Sequence, residues 1–148
     1  MEYRKMGGRV YIRMDKSDEI LEGLKRICQE LRISSATFQG IGACDKVTVA
    51  TFIPEKQEFL HHERNGMLEM VSLQGNIVTN DQGELVEHAH GIFSYLTSEH
   101  EEIAFIGGHL LSARVSYTAE IVLDMVEEGS IGHKLDKLTG INVWKLEG

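Results

Sequence analysis

One segment with helical periodicity, followed by strand-like segments almost to the end of the chain, limits the folds that this sequence can adopt. Apolar residues recur every three or four positions between Ile20 and Leu31, and charged residues occupy the other side. Six later segments are strand-like and end with ARVSYTAEIVLDMV; the first two, SSATFQGIGA and DKVTVATFI, are rich in β-branched residues and predict two strands with glycines between them. This order predicts the α+β class: one compact domain over residues 1–148, in which one amphipathic helix packs on a curved, mainly antiparallel sheet or partial barrel.

Short local patterns indicate the turns and ends of these elements. NDQG (residues 80–83) predicts the turn of a hairpin, and GHKLDKL predicts a short helical piece before a last strand, INVWKLE. Gly40 and Gly42 lack the third glycine and the following helix of a dinucleotide-binding loop. They therefore indicate a tight turn or a close backbone approach.

The charge balance argues against strong nucleic-acid binding by this chain alone. The 148 residues carry a formal net charge of −8, and the basic residues form no dense cluster, although a local patch stays open. Cys28 and Cys44 have no CxxC spacing, so two reduced thiols are expected. The first residues lack an apolar signal-peptide core, and no apolar run reaches the ~20 residues that span a bilayer. These features predict a cytoplasmic protein with no membrane partner.

Two histidines at alternate positions, His88 and His90, lie inside one strand-like segment. Side chains two residues apart share one face of a strand, with Cα atoms ~6.6 Å apart, so both imidazoles can reach one metal ion. Adjacent histidines on a strand face opposite ways, and histidines in polar surroundings are typical of a surface. On these grounds four other histidines are expected to lie apart from this pair: His61, His62, His100 and His133.

The segment FIGGHLLSARV supplies the best third ligand, His109. Gly107 and Gly108 precede it and leave room beside it, and a strand follows that can lie next to the HxH strand. Three histidines with one open position are the pattern of a catalytic zinc site rather than a closed structural one. The alternative is an exposed histidine pair and an unrelated core histidine.

Two glutamates in apolar strands are candidates for a general acid or general base. Glu69 lies in LEMVSL and Glu120 in YTAEIVL, where Glu120 shares the polar side of its strand. A carboxylate in such a place needs a partner when it is buried, and Arg114 or a neighbouring subunit could provide one. The alternative is a solvated or salt-bridged strand residue.

Four segments together resemble the PPC domain, also called DUF296: GIGACDKVTVATF, LEMVSLQGNI, HAH and GGHLLSARVSYTAEIVL. The resemblance covers roughly residues 5 to 146. The family comprises plant AT-hook nuclear proteins and stand-alone bacterial and archaeal proteins, and the prokaryotic ones are labelled DNA-binding by analogy. The resemblance implies a homotrimer. The fold is also similar to that of acetolactate decarboxylase, a remote relative whose three zinc-binding histidines correspond to His88, His90 and His109.

The plant family members carry an AT-hook centred on R-G-R-P, and this chain has none. Three hypotheses therefore stay open. The first is a homotrimeric interaction module, near DNA or with protein partners, that carries a three-histidine metal site. The second is a zinc-dependent enzyme, of lyase or hydrolase type, that acts on a small oxygenated metabolite with Glu120 or Glu69 as acid or base. The third keeps one zinc ion per chain in a structural role only.

Overall fold

The computed structural model describes residues 1–99 and 102–146, which form eight strands and one helix. No helix in these residues is long and apolar enough to cross a membrane. In chain order the elements are β1 (Glu2–Met6), β2 (Arg9–Asp15), α1 (Ile20–Leu31), β3 (Ser35–Ile53), β4 (Glu58–Thr79), β5 (Leu85–Leu96), β6 (Ile103–Met125), β7 (Gly132–Leu135) and β8 (Asn142–Lys145).

The strands form one curved sheet in the order β1-β2-β6-β3-β4-β7-β8. β5 pairs with both β4 and β6, so β3, β4, β5 and β6 close into a ring of antiparallel neighbours. This confirms the expected curved, mainly antiparallel sheet. The α+β description is corrected to a sheet-rich fold, because strands dominate the described residues and α1, the one helix among them, has 12 residues.

The sheet has an inner face packed against α1 and an outer face open to solvent. Along β2, Val10, Ile12 and Met14 are buried, whereas Arg9 and Tyr11 between them are exposed. The predicted apolar stripe of the helix meets the inner face, and its buried members are Ile20, Leu21, Leu24, Ile27 and Cys28. The alternation along each strand therefore separates the core from an outer face that is free to carry function.

β3 is one continuous strand of 19 residues, where the sequence predicted two strands with a glycine segment between them. Gly40 and Gly42 lie inside it and serve a close backbone approach to β6. A Cβ atom on Gly42 would lie 2.5 Å from the carbonyl oxygen of Thr118, and one on Gly40 would lie 2.7 Å from that of Glu120. Register shifts at Gly40/Gly42 and Cys44/Lys46 bend the strand without ending it.

The NDQG turn is confirmed, and it joins β4 to β5. The side-chain oxygen of Asn80 accepts hydrogen bonds from the backbone N–H groups of Gln82 (3.0 Å) and Glu84 (2.9 Å). Gly83 has φ +81°, a conformation that favours glycine. This turn sets the register in which β5, the HxH strand, lies against β4.

The helical piece predicted for GHKLDKL is wrong, because Gly132–Leu135 is strand β7, antiparallel to β8. Asp136 ends this strand by accepting hydrogen bonds from the backbone N–H groups of Leu138 and Thr139, both at 3.3 Å. An aspartate that bonds to nearby backbone groups favours a turn over a helix. The resulting β7–β8 hairpin places His133 opposite Trp144 at the edge of β4.

Candidate metal centre

His88 and His90 lie on β5 on either side of the buried Ala89, and both are exposed on the outer face. Their ring centroids are 5.2 Å apart. The period-two alternation of a strand accounts for this arrangement, because positions i and i+2 project to the same side. The predicted shared face is confirmed.

His109 lies on β6 directly opposite His90. The two glycines before it allow β6 to pass close to its neighbours. A Cβ atom on Gly107 would lie 2.8 Å from the carbonyl oxygen of Gly91, and one on Gly108 would lie 2.7 Å from that of Ala50. Gly108 also has φ +149°. The glycines thus let β6 fit between β5 and β3 with His109 half-buried beside the HxH pair.

The three imidazoles form one cluster, and among the described residues they are the group that could hold a metal ion. His109 has its ring centroid 5.1 Å from that of His88 and 5.6 Å from that of His90. One ligand atom from each ring lies within 4.8 Å of the others. Two nitrogens on a tetrahedral zinc ion are ~3.3 Å apart. Small side-chain rotations therefore bring the three rings into a geometry that can hold a metal ion.

The electrostatics of the cluster favour uncharged imidazoles, which are the form that binds metals. Partial desolvation by the neighbouring side chains lowers the pKa of His88, and the nearby His90 and His133 lower it further. Desolvation likewise lowers the pKa of His109, with added repulsion from His88 and His90. Two of the three donors are therefore biased toward the neutral form that binds a divalent cation.

The two sides of the cluster differ in polarity. Phe59 lies on the β6 side, with its ring centroid 5.9 Å from that of His109, and Phe52 packs on Phe59 at 5.2 Å. On the other side a cavity of about 760 Å³ adjoins His88 and His90. Its lining includes three amide side chains and one indole: Gln39, Gln74, Asn76 and Trp144.

Sequence reasoning missed His133 and Trp144 as neighbours of this site. Trp144 donates a hydrogen bond from Nε1 to Oδ1 of Asn76 at 3.3 Å, and Asn76 lies opposite His88. His133 lies close enough to His88 to oppose its protonation. Both residues stand on the β7–β8 hairpin, half of which was predicted as a helix. If GHKL had been predicted as a strand, the alternation of side chains would have assigned His133 to one face of the sheet.

The two candidate glutamates line a different concavity on the outer face. Glu69 and Glu120 are exposed there, together with Ile41, Val71 and Tyr117. Neither lines the cavity beside His88 and His90. Both are solvated strand residues in this chain, and their acid or base role stays a prediction.

The proposed partner of Glu120, Arg114, is engaged elsewhere. Its Nε lies 2.6 Å from Oδ1 of Asp45, and this pair raises the pKa of Arg114. Glu120 instead lies opposite Arg13 on the neighbouring strand. Of the other histidines, His61 and His62 are exposed on β4, and His100 lies outside the described residues.

Comparisons with known proteins agree with the resemblance noted in the sequence. The family model of the Plants and Prokaryotes Conserved (PCC) domain matches residues 1–127. No curated protein sequence matches the chain significantly. Among solved structures, a candidate DNA-binding protein from Bacteroides thetaiotaomicron is 25% identical, with a TM-score of 0.84, over 97% of this chain and 96% of its own.

Two archaeal structures are similarly close. A plant- and prokaryote-conserved (PPC) protein from Pyrococcus horikoshii is 28% identical, with a TM-score of 0.80, over 99% of this chain and 96% of its own. A protein from Archaeoglobus fulgidus, described as metal-containing, is 26% identical, with a TM-score of 0.77, over 97% and 96%.

The predicted remote similarity to acetolactate decarboxylase is confirmed at the level of the fold. A Staphylococcus aureus protein described as similar to that enzyme is 12% identical, with a TM-score of 0.53, over 86% of this chain and 54% of its own. Such a likeness concerns the fold alone. The family model over residues 1–127 identifies this chain as a member of the Plants and Prokaryotes Conserved domain family.

Proposed function

We propose that residues 1–148 form one domain, which holds one zinc ion through His88, His90 and His109. The observation that carries the proposal is the cluster itself, in which ligand atoms of three histidines lie within 4.8 Å of one another. Three imidazoles with a free fourth position are the donor set of an open zinc site. Bound zinc would supply Lewis acidity to an oxygen atom at that position.

Metal content of the purified protein tests the proposal. The chain is produced without a histidine tag, and its metals are measured by mass spectrometry before and after reconstitution with zinc. We expect about one zinc ion per chain, its loss in His88→Ala and its retention in His61→Ala, which removes an exposed histidine outside the cluster. A reconstituted wild-type protein without bound metal would sink the proposal.

We also propose that the domain is an interaction module that assembles as a homotrimer. Its outer face exposes a group of large apolar side chains, and such patches are typical of interaction sites. Their exposed fractions run from 48% to 73%, and they are Ile41, Met67, Val71, Ile92, Phe105 and Tyr117. A second and third copy of the chain would cover them.

Sedimentation equilibrium of two matched variants tests the trimer. Val71→Asp places a charge within the apolar group and should yield monomers. Leu138→Asp changes a side chain that is 92% exposed after β7, so it should leave the mass of the trimer unchanged. A wild-type protein that sediments as a monomer at high concentration would rule out the assembly.

DNA binding is a second candidate function, favoured by the description of the Bacteroides relative. Arg4 and Lys5 on β1 have no ion pair among the described residues and could contact phosphates. Three copies in a trimer would raise the avidity of so small a patch. A salt titration against duplex DNA tests it: binding that stays undetectable at low ionic strength excludes this function for the chain.

The zinc-dependent enzyme remains the alternative, with a lyase or hydrolase reaction on a small oxygenated metabolite. It is supported by the open fourth position and by the cavity beside His88 and His90. Turnover that is lost in His88→Ala and in Glu120→Gln or Glu69→Gln would favour it over a purely structural ion. We propose a cytoplasmic location as well, because Cys28 and Cys44 are both free thiols.

A further inference from the structure

Two rows of side chains cross the outer face of the sheet, and both begin at the histidines. Residues opposite each other on neighbouring antiparallel strands place their side chains on the same face. The first row runs through His88, Asn76, Thr37, Asp124 and Arg9. The second runs through His90, Gln74, Gln39, Val122 and Tyr11. We call the surface between these rows, with Trp144 at its side, the amide groove.

The amide groove is long enough for a ligand that extends away from the metal centre. Each row crosses five strands, which spans ~19 Å at the usual strand spacing. All ten residues of the two rows line the same cavity of about 760 Å³, together with Trp144. A volume of this size falls within the range of small-molecule sites.

The charges of the groove cancel. Its only charged side chains among the described residues are Arg9 and Asp124, whose Nε and Oδ2 atoms lie 3.3 Å apart. The whole chain carries a net charge of −8. Beyond the metal position itself, a phosphate or another polyanion would therefore meet no unpaired cationic side chain among the described residues of this groove, and the net negative charge of the chain would oppose its approach.

The groove is rich in groups that both donate and accept hydrogen bonds. Gln39 and Gln74 are exposed, and their side chains bond to no other described residue. Asn76 is half-buried and is held by the hydrogen bond from Trp144, which leaves its NH₂ group for a ligand. Alternating donors and acceptors of this kind match a row of hydroxyl groups.

Two aromatic side chains flank these amides. Tyr11 is 41% exposed at the far end of the second row, and Trp144 is 42% exposed beside the first. Flat rings of this kind give apolar surface against which the C–H face of a ring can pack, and each keeps one polar atom. Amides together with exposed aromatic rings and balanced charge are suited to a neutral hydroxylated ring.

We propose that the amide groove binds a short neutral saccharide, with one of its oxygens directed to the open position of the metal centre. Gln39, Gln74 and Asn76 bind its hydroxyl groups, and Trp144 packs against a ring face. The inference rests on the metal site proposed above, because the ion would fix one end of the ligand. It adds a ligand class and a set of contacts that the metal site alone does not specify.

Trp144 makes the proposal directly measurable, because it is the only tryptophan in the chain. Its fluorescence is recorded while D-glucose, D-galactose, D-ribose and maltose are added separately to zinc-loaded and metal-free protein. We expect a saturable change for at least one of these probes. The apparent affinity should fall about tenfold in Gln74→Ala, which loses a hydrogen bond to the ligand. It should not change in Gln29→Ala, which removes an exposed amide on α1.

Glucose 6-phosphate and an oligothymidylate serve as anionic comparisons. A saturable change in Trp144 fluorescence with either one, at an affinity equal to that of the best neutral probe, would overturn the proposal. Absence of any response to the neutral probes in zinc-loaded protein would overturn it as well. In that case zinc measured by mass spectrometry would still support the metal site. A saccharide response in protein that never binds zinc would support the groove and refute the metal centre, so the two failures are distinguishable.

Discussion

His90 and His109 lie directly opposite each other on β5 and β6, and their ring centroids are 5.6 Å apart. Because His109 completes the set that His88 and His90 begin, its removal should leave only two ligands on one strand. We expect His109→Ala to lose the stabilisation that zinc gives the wild-type protein, which is about 2.7 kcal/mol at zinc ~100 times above the dissociation constant.

Thermal unfolding with and without zinc checks this expectation. The wild-type protein and His62→Ala, which changes an exposed β4 histidine outside the cluster, should both melt at higher temperature when zinc is added. His109→Ala should melt at the same temperature in both conditions. A zinc-dependent rise that survives in this variant would show that His109 is not a ligand.

The glycine before His109 should be intolerant of a side chain. Gly108 combines φ +149° with a Cβ position 2.7 Å from the carbonyl oxygen of Ala50. Gly66 has φ +113° but open space around it. A side chain there would therefore meet backbone strain without a steric clash, which makes Gly66 a control for Gly108. We expect Gly66→Ala to cost about 1 kcal/mol of unfolding free energy and Gly108→Ala at least about 3 kcal/mol, because only the latter moves β3 as well. Urea denaturation of both variants measures the difference, and equal losses would contradict the close approach.

The two thiols should be inert in the folded protein. Burial raises the pKa of Cys28 to about 12, and it raises that of Cys44 to about 12 with added repulsion from Asp45 and Glu19. At pH 8 almost no thiolate is present, so Ellman's reagent should react with both residues only after denaturation. Rapid labelling of two thiols in the native protein would contradict this.

The same shifts give a pH dependence of stability. The folded pKa of each thiol lies above its unfolded value. The contribution of the neutral thiol to the stability of the folded protein is therefore complete below the unfolded pKa near 9. It is lost as the pH rises through the folded pKa near 12. Urea denaturation between pH 8 and 11 should show that the unfolding free energy falls more steeply with pH in the wild-type protein than in Cys28→Ala, which has only one of the two thiols.

Glu19 should stabilise the start of the helix and its attachment to β6. Its carboxylate accepts hydrogen bonds from the backbone N–H groups of Glu22 and Ala113, both at 2.8 Å. We expect Glu19→Ala to reduce the unfolding free energy by about 1–2 kcal/mol, because both N–H groups lose their acceptor. Lys16→Ala, a change at an exposed turn residue, is the control and should have little effect in the same denaturation experiment.

The parts of the fold that depend on local periodicity were predictable from the sequence. The apolar stripe of α1 and the shared face of His88 and His90 follow from periods of 3.6 and two residues. The NDQG turn follows from its residue types. These features need no knowledge of distant contacts, and the structure confirms them.

Features that depend on pairing between distant segments were not predictable in the same way. The bulge at Gly40/Gly42 lies in the pairing of β3 with β4, and the same two glycines are needed where β6, a distant segment of the chain, approaches the β3 backbone. The strand at Gly132–Leu135 exists because β8 pairs with it, and this pairing cannot be predicted from a short polar segment alone. The arrival of Trp144 and His133 beside the histidines depends on that hairpin, so the amide groove could not be seen in the sequence.

All three histidines of the candidate metal centre come from one pair of consecutive strands, β5 and β6. By contrast, the paired residues of β3 and β6 are far apart in the sequence, as Ala36 and Met125 show. Closing a short loop costs far less chain entropy than closing a long one, and local contacts form sooner during folding. The ligand set should therefore assemble before the ring of strands is closed. Zinc, when present, would then favour the β5–β6 pairing early, and its arrival would influence the rate of folding as well as the final stability.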